Sequence, residues 1–163
     1  MFKMFKAATD DQLKAIYEIH EILNVLIKVS CAGLDSWQLQ EGYQVFTNGA
    51  KKNLPKAITL RKEIEEASSN LSQATFQRML KQFRDCSEWL LGFAMDTLAS
   101  ATVNPIVQDM FKKYFQTGDD PNESIITIYG FLHRNFSTID PINAVIYQES
   151  IQARLDKLEE KQR

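Results

Sequence analysis

Histidine, glycine, proline and cysteine are all scarce in this chain, and each shortage removes a class of function. The only histidines, His20 and His133, lie far apart. A three-histidine metal site is therefore excluded, and a two-histidine site needs a carboxylate that no spacing singles out. No E-x-x-H pair occurs, which removes the ferritin-like di-iron arrangement built on two such pairs. The six glycines form neither a G-x-G-x-x-G nor a P-loop spacing, so no glycine loop cradles a nucleotide phosphate. Charge of one sign is also missing. A net charge of -2 gives no basic excess for neutralising phosphates, and nucleic acid is not an expected partner.

The two cysteines, Cys31 and Cys86, have no C-x-x-C spacing. Cys86 sits mid-helix in FRDCSEWL, where a thiol is normally a small core hydrophobe. Cys31 is expected at a helix C-terminus, whose dipole disfavours a thiolate. No apolar run reaches the ~20 residues that span a bilayer. ILNVLIKV is interrupted by Asn24 and Lys28, and WLLGFAM runs into Asp96. The opening MFKMFKAATD has no apolar h-region, so no secretory signal is expected. These absences together describe a soluble, cytoplasmic protein with reduced thiols.

What is present is ordinary for a folded protein. Hydrophobic residues make up 44% and charged residues 25% of 163 positions, which excludes disorder as a description of the whole chain. That length is one domain's worth. The expectation is a single helical domain over 1–163, with a flexible N-terminal segment at 1–8 and a charged tail at 157–163.

The four prolines supply the punctuation. Asn104-Pro105, Asp120-Pro121 and Asp140-Pro141 each place a capping side chain before a proline at a helix start. Pro55, after Asn53-Leu54, is read the same way. A first helix starts after Thr9, which has capping-box spacing to Gln12, and stops near Cys31 and Gly33. A short second helix from Asp35 ends at the Asn48-Gly49 turn signal. A third spans about 55–69 and a fourth about 72–99. Ile106, Val107, Met110, Phe111, Tyr114 and Phe115 mark a fifth with a clear apolar stripe. SIITIYGFL is rich in β-formers, yet it has no second strand to pair with and follows a helix-start signal, so it is read as helix. A last helix uses Ala144, Tyr147, Ile151, Leu155 and Leu158. The fold class is all-α, a single-domain bundle of six or seven helices. Its first and fourth members are central, because both become apolar almost all round.

One fragment invites a chemical reading. YEIHEILN stops one histidine short of the H-E-x-x-H zinc signature, with Asn24 where the second ligand belongs. An amide oxygen is a poor partner for zinc. At about 100° per residue, Glu21 points away from the apolar arc of Ile16, Ile19, Leu23 and Leu26, while His20 lies at its edge. His20 is therefore read as a boundary histidine with one nitrogen hydrogen-bonded. No metal or cofactor is expected. His133, in FLHRNF, is a candidate only if the aromatic core holds haem, which one axial histidine suffices to bind.

Function then rests on surfaces. With no catalytic constellation, the expectation is a non-enzymatic interaction module: an adaptor, regulator, small chaperone or inhibitor that holds another protein. The alternative is a helical sensor or carrier with a small hydrophobic ligand or haem in its core. Trp37 and Tyr43, on the glutamine-rich SWQLQEGYQ, are the aromatics expected to be exposed, the class enriched at interfaces. A second place for Trp37 is the core, where the first two helices meet. Lys51, Lys52 and Lys56 form the densest basic spot and would steer an acidic partner. Self-association is compatible with the same surface. Phe2 and Phe5 offer too little apolar area to anchor the chain in a membrane.

Overall fold

The computed structural model describes residues 6–37, 44–67 and 70–139, together with Asp156. Five helices make up the fold over these residues: α1 (Asp10–Trp37), α2 (Gln44–Ala67), α3 (Gln73–Ser100), α4 (Pro105–Phe115) and α5 (Asn122–Ile139). No strand occurs among the described residues, so the chain is all-α, and SIITIYGFL is helical within α5. The helix expected after Asp140, like Phe2, Phe5 and Tyr43, lies outside the described residues.

The capping chemistry behaves as the sequence requires. The Thr9 N–H donates to Gln12 Oε1 at 2.9 Å and the Gln12 N–H to Thr9 Oγ1 at 3.1 Å, a reciprocal capping box. Ser72 Oγ accepts from the Thr75 N–H at the head of α3. Asn104 Oδ1 accepts from the N–H groups of Ile106 and Val107 ahead of α4, and Asp120 Oδ1 accepts from the Asn122 N–H ahead of α5. Gln116 closes α4 in the left-handed region, at φ 51°.

Among the described residues the helices number five, not the six or seven expected, because three signals read as helix boundaries sit inside helices. Gly33 does not end α1, which runs on to Trp37. A Cβ built there would lie 2.4 Å from Thr97 Oγ1 and 2.7 Å from the Phe93 ring, so glycine lets α1 and α3 touch. Asn48-Gly49 lies within α2, and Pro55 is interior to it rather than at its start. A Cβ on Gly49 would press on the Trp89 ring at 3.2 Å, again a close approach rather than a turn. The proposed second helix is thus divided between the end of α1 and the start of α2.

α1, α2 and α3 pack mutually, and α1 and α3 each contact all of the other four helices. This bears out the expectation that those two are central. Val107 and Phe111 carry α4 into the core, with Phe111 stacked on Phe115 at 4.5 Å between ring centres. Ile125, Tyr129, Leu132 and Phe136 do the same for α5. The buried Tyr129 hydroxyl donates to the Met95 carbonyl at 2.7 Å, satisfying a polar group that would otherwise cost free energy to bury. Backbone bonds from Ala8 to Leu71 and from Gln73 to Lys6, both 2.8 Å, tie the chain's start to the α2–α3 connection.

Candidate functional site: the cleft between α2 and α3

α2 and α3 run antiparallel, and two contacts fix their register: Gly49 beneath Trp89 near one end, and the Glu63–Arg78 ion pair, at 2.8 Å, near the other. Between them lies an open cleft of about 340 Å³. Pro55, Lys56, Thr59, Leu60 and Glu63 line it from α2, and Gln82 and Asp85 from α3. Arg78 also donates to Gln82 Oε1, one turn along α3, at 3.1 Å.

Glu63 and Gln82 are thus engaged by Arg78, and the charged groups left in the cleft are Lys56 and Asp85. Pro55 has no N–H, so the Lys51 carbonyl one turn earlier lacks its normal helical donor. Lys56 and Asp85 are exposed and, among the described residues, neither forms an ion pair. Beneath them, Cys86 is fully buried and burial pushes its thiol up to about 11, with Asp85 adding to the shift and Lys56 opposing it. Such a thiol is an inert core group at neutral pH.

One turn beyond Asp85 stands Trp89, 62% exposed. Its ring rests on α2 because residue 49 has no side chain. A large indole facing water and seated over a glycine of the neighbouring helix has the composition of a contact surface.

The site residues expected from sequence divide. Lys51, Lys52 and Lys56 are exposed on α2. Trp37 is not the exposed aromatic: at 6% exposure it belongs to the core cluster. The reason is that α1 continues through Gly33, which brings Trp37 onto the stripe of Ile19, Leu23 and Leu26. Tyr43 is outside the described residues. Trp89 was missed because, at about 40° from Phe93 and about 60° from Cys86 on the helical wheel, position 89 borders the buried stripe of α3 and no sequence signal marks it as exposed.

His20 has the structural partners expected of a boundary residue. Its Nε2 is 2.8 Å from Glu65 Oε2, and its Nδ1 is 3.4 Å from Asn24 Nδ2. Arg61 donates to Asn24 Oδ1 at 3.2 Å. The H-E-x-x-N fragment is thus part of a polar seam between α1 and α2. No group of three His, Cys, Asp or Glu side chains converges among the described residues. His133 is half-buried within α5, six positions before its end.

A second polar contact joins α1 to α4. The Tyr114 hydroxyl donates to Asp35 Oδ2, and Lys28 Nζ lies 4.8 Å from the centre of the Phe115 ring. The hydrogen bond to Asp35 pushes the Tyr114 phenol up to about 12, with burial and the Asp35 charge acting in the same direction. Cys31, half-buried on the same side of α1, is also raised, by burial first and then by Asp35. Both cysteines are free.

Among the described residues no single helix is long and apolar enough to cross a membrane; only α3 with α4, bent by 110°, meets that test as a pair. What fold and cleft define together is a class: an all-α bundle with a charged groove between two of its helices. Compared with known proteins, the chain matches no family model, no curated protein and no solved structure.

Proposed function

We propose that this chain is a non-enzymatic interaction module, an adaptor or regulator that holds another protein on the α2–α3 face. The observation that carries the reading is the exposure of Trp89. An indole left 62% in water forgoes apolar burial at about 25 cal/mol per Å², and tryptophan is the residue type most enriched among binding hot spots. Lys51, Lys52 and Lys56 beside it provide electrostatic steering, which raises association rates more than affinity. The cleft presents two charged groups that would orient a partner, the Lys56 ammonium and the Asp85 carboxylate, neither ion-paired among the described residues.

Affinity purification of the intact protein from its native host, with wild type and Trp89→Ala in parallel, tests this reading. A specific partner retained by wild type and lost by the variant, with helicity and melting temperature unchanged, supports it. Identical captured proteins from both would overturn it.

A further inference from the structure

Most of α2 carries charge of one sign. From Gln44 to Lys62 it holds five cations, Lys51, Lys52, Lys56, Arg61 and Lys62, and no acidic residue. Of the chain's 19 basic and 21 acidic residues, these five leave the rest at a net -7, 14 against 21.

Pairing within the fold does not neutralise this stretch. Three glutamates follow it in α2, and two of them are engaged elsewhere: Glu63 with Arg78 and Glu65 with His20, each at 2.8 Å. Arg61 donates to Asn24, and Arg84 and Glu88 of α3 also interact within the chain. Lys51, Lys52, Lys56 and Lys62 are exposed and form no ion pair among the described residues, and the same holds for Lys81 on α3. Glu66 and Asp85 are the exposed acids of α2 and α3 in that condition beside Glu88 and the engaged Glu65. The face therefore keeps an excess of positive charge.

That charge is ordered along the helix. Lys51, Pro55, Ile58 and Lys62 fall at i, i+4, i+7 and i+11, a single stripe of α2. All four are exposed, Ile58 at 40%. At 1.5 Å per residue the stripe is about 16 Å long, and it sets two apolar side chains between two ammonium groups. We infer that the partner held on this face presents an acidic protein segment along α2, with carboxylates at Lys51 and Lys62 and an apolar side chain between them on Pro55 and Ile58. This inference rests on the reading of the α2–α3 face as a contact surface and names the partner's chemistry.

Other anionic partners fit less well. A bilayer surface is held by apolar area as well as charge, and Pro55 and Ile58 offer little. Nucleic acid calls for a basic excess over the binding domain, whereas here the excess is confined to α2 in a chain of net charge -2. A short acidic segment can lie on α2 alone.

Fluorescence anisotropy on the intact chain tests the inference. The probe is a labelled peptide of repeating Glu-Glu-Leu-Glu, its neutral control repeating Gln-Gln-Leu-Gln, and circular dichroism confirms that every variant folds. Wild type should prefer the acidic peptide by at least about tenfold, and added salt should weaken the complex. Lys51→Glu/Lys62→Glu should raise Kd by at least about tenfold, mainly through slower association. Glu66→Lys should lower Kd, and Lys113→Glu on α4 should leave it unchanged. Equal affinity for the two peptides, no binding at the highest soluble concentration, or a Kd indifferent to the double reversal would overturn the inference. So would tighter binding to vesicles containing phosphatidylserine, lost in the same double variant, which would give the face to a membrane. If the acidic peptide fails while Trp89→Ala still loses a captured protein, the contact-surface reading stands and the acidic segment is refuted. A peptide bound through Lys51 and Lys62, with identical proteins captured by wild type and Trp89→Ala, would overturn the Trp89 reading alone.

Discussion

Gly33→Ala sets two physical effects against each other at one position. Glycine inside a helix costs about 1 kcal/mol relative to alanine, so the substitution should stabilise α1 wherever the new methyl has room. At Gly33 it has none. The Cβ would sit 2.4 Å from Thr97 Oγ1 and 2.7 Å from Phe93 Cε2, and neither neighbour is a loose surface end. Thr97 is fully buried and its hydroxyl donates to the Phe93 carbonyl at 2.9 Å. Relieving the clash requires α1 and α3 to separate, and overpacking of this kind typically costs about 1–3 kcal/mol. At the upper part of that range the clash outweighs the propensity gain, leaving a net loss of about 1–2 kcal/mol. For a chain of this size that lowers Tm by roughly 2–8 °C. Gly92, also within a helix, has nothing within 4 Å of its would-be Cβ, so Gly92→Ala should raise Tm by about 2–4 °C. Thermal unfolding of both variants, followed by circular dichroism, makes the comparison. A Gly33→Ala protein as stable as Gly92→Ala would refute the close crossing of α1 on α3.

Four further outcomes follow from the same packing. Phe111→Ala, which removes a fully buried ring stacked on Phe115, should cost about 3–5 kcal/mol in denaturant unfolding, whereas Lys113→Ala on the exposed side should stay within about 0.5 kcal/mol. Trp37→Ala should lower stability by a similar 3–5 kcal/mol; a neutral effect would mean that Trp37 is not in the core. Thiol labelling of the native protein should modify Cys31 well before Cys86, which is buried with its thiol raised to about 11, and rapid modification of Cys86 would contradict that placement. Tyr114, raised to about 12 mainly by its bond to Asp35, keeps its proton in the fold at pH values where the unfolded phenol, near 10, has lost it. Its stabilising contribution is therefore complete below about pH 10 and is lost as pH rises towards 12. Ultraviolet titration should show a late-ionising component that Asp35→Asn moves to lower pH.

Much of the fold was legible because helix starts are written in side chains. Thr9 with Gln12, Ser72, Asn104 and Asp120 each satisfy backbone N–H groups locally, and no distant residue can override that need. Helix ends and interruptions were less legible, for a physical reason. Gly33, Gly49 and Pro55 carry the same local signal whether they stop a helix or sit inside one. What decides is a neighbour far along the chain: Thr97 and Phe93 against Gly33, and Trp89 against Gly49. The misplaced stop at Gly33 then propagated, since it took Trp37 off the buried stripe of α1 and made it look free for binding. The lysines of the candidate site were legible as an exposed cluster. The exposed aromatic was not, because seating Trp89 over Gly49 depends on the antiparallel register of α2 and α3.

The central proposal is that Trp89, and not Trp37, is the tryptophan that meets a partner. Hydroxyl-radical oxidation read by mass spectrometry compares the two indoles in a single sample without any substitution. In dilute protein Trp89 should oxidise many times faster than Trp37, as its 62% exposure against 6% requires. When a captured partner is added, protection should appear at Trp89. Equal rates at the two tryptophans, or a Trp89 rate that the partner leaves unaltered, would contradict the account.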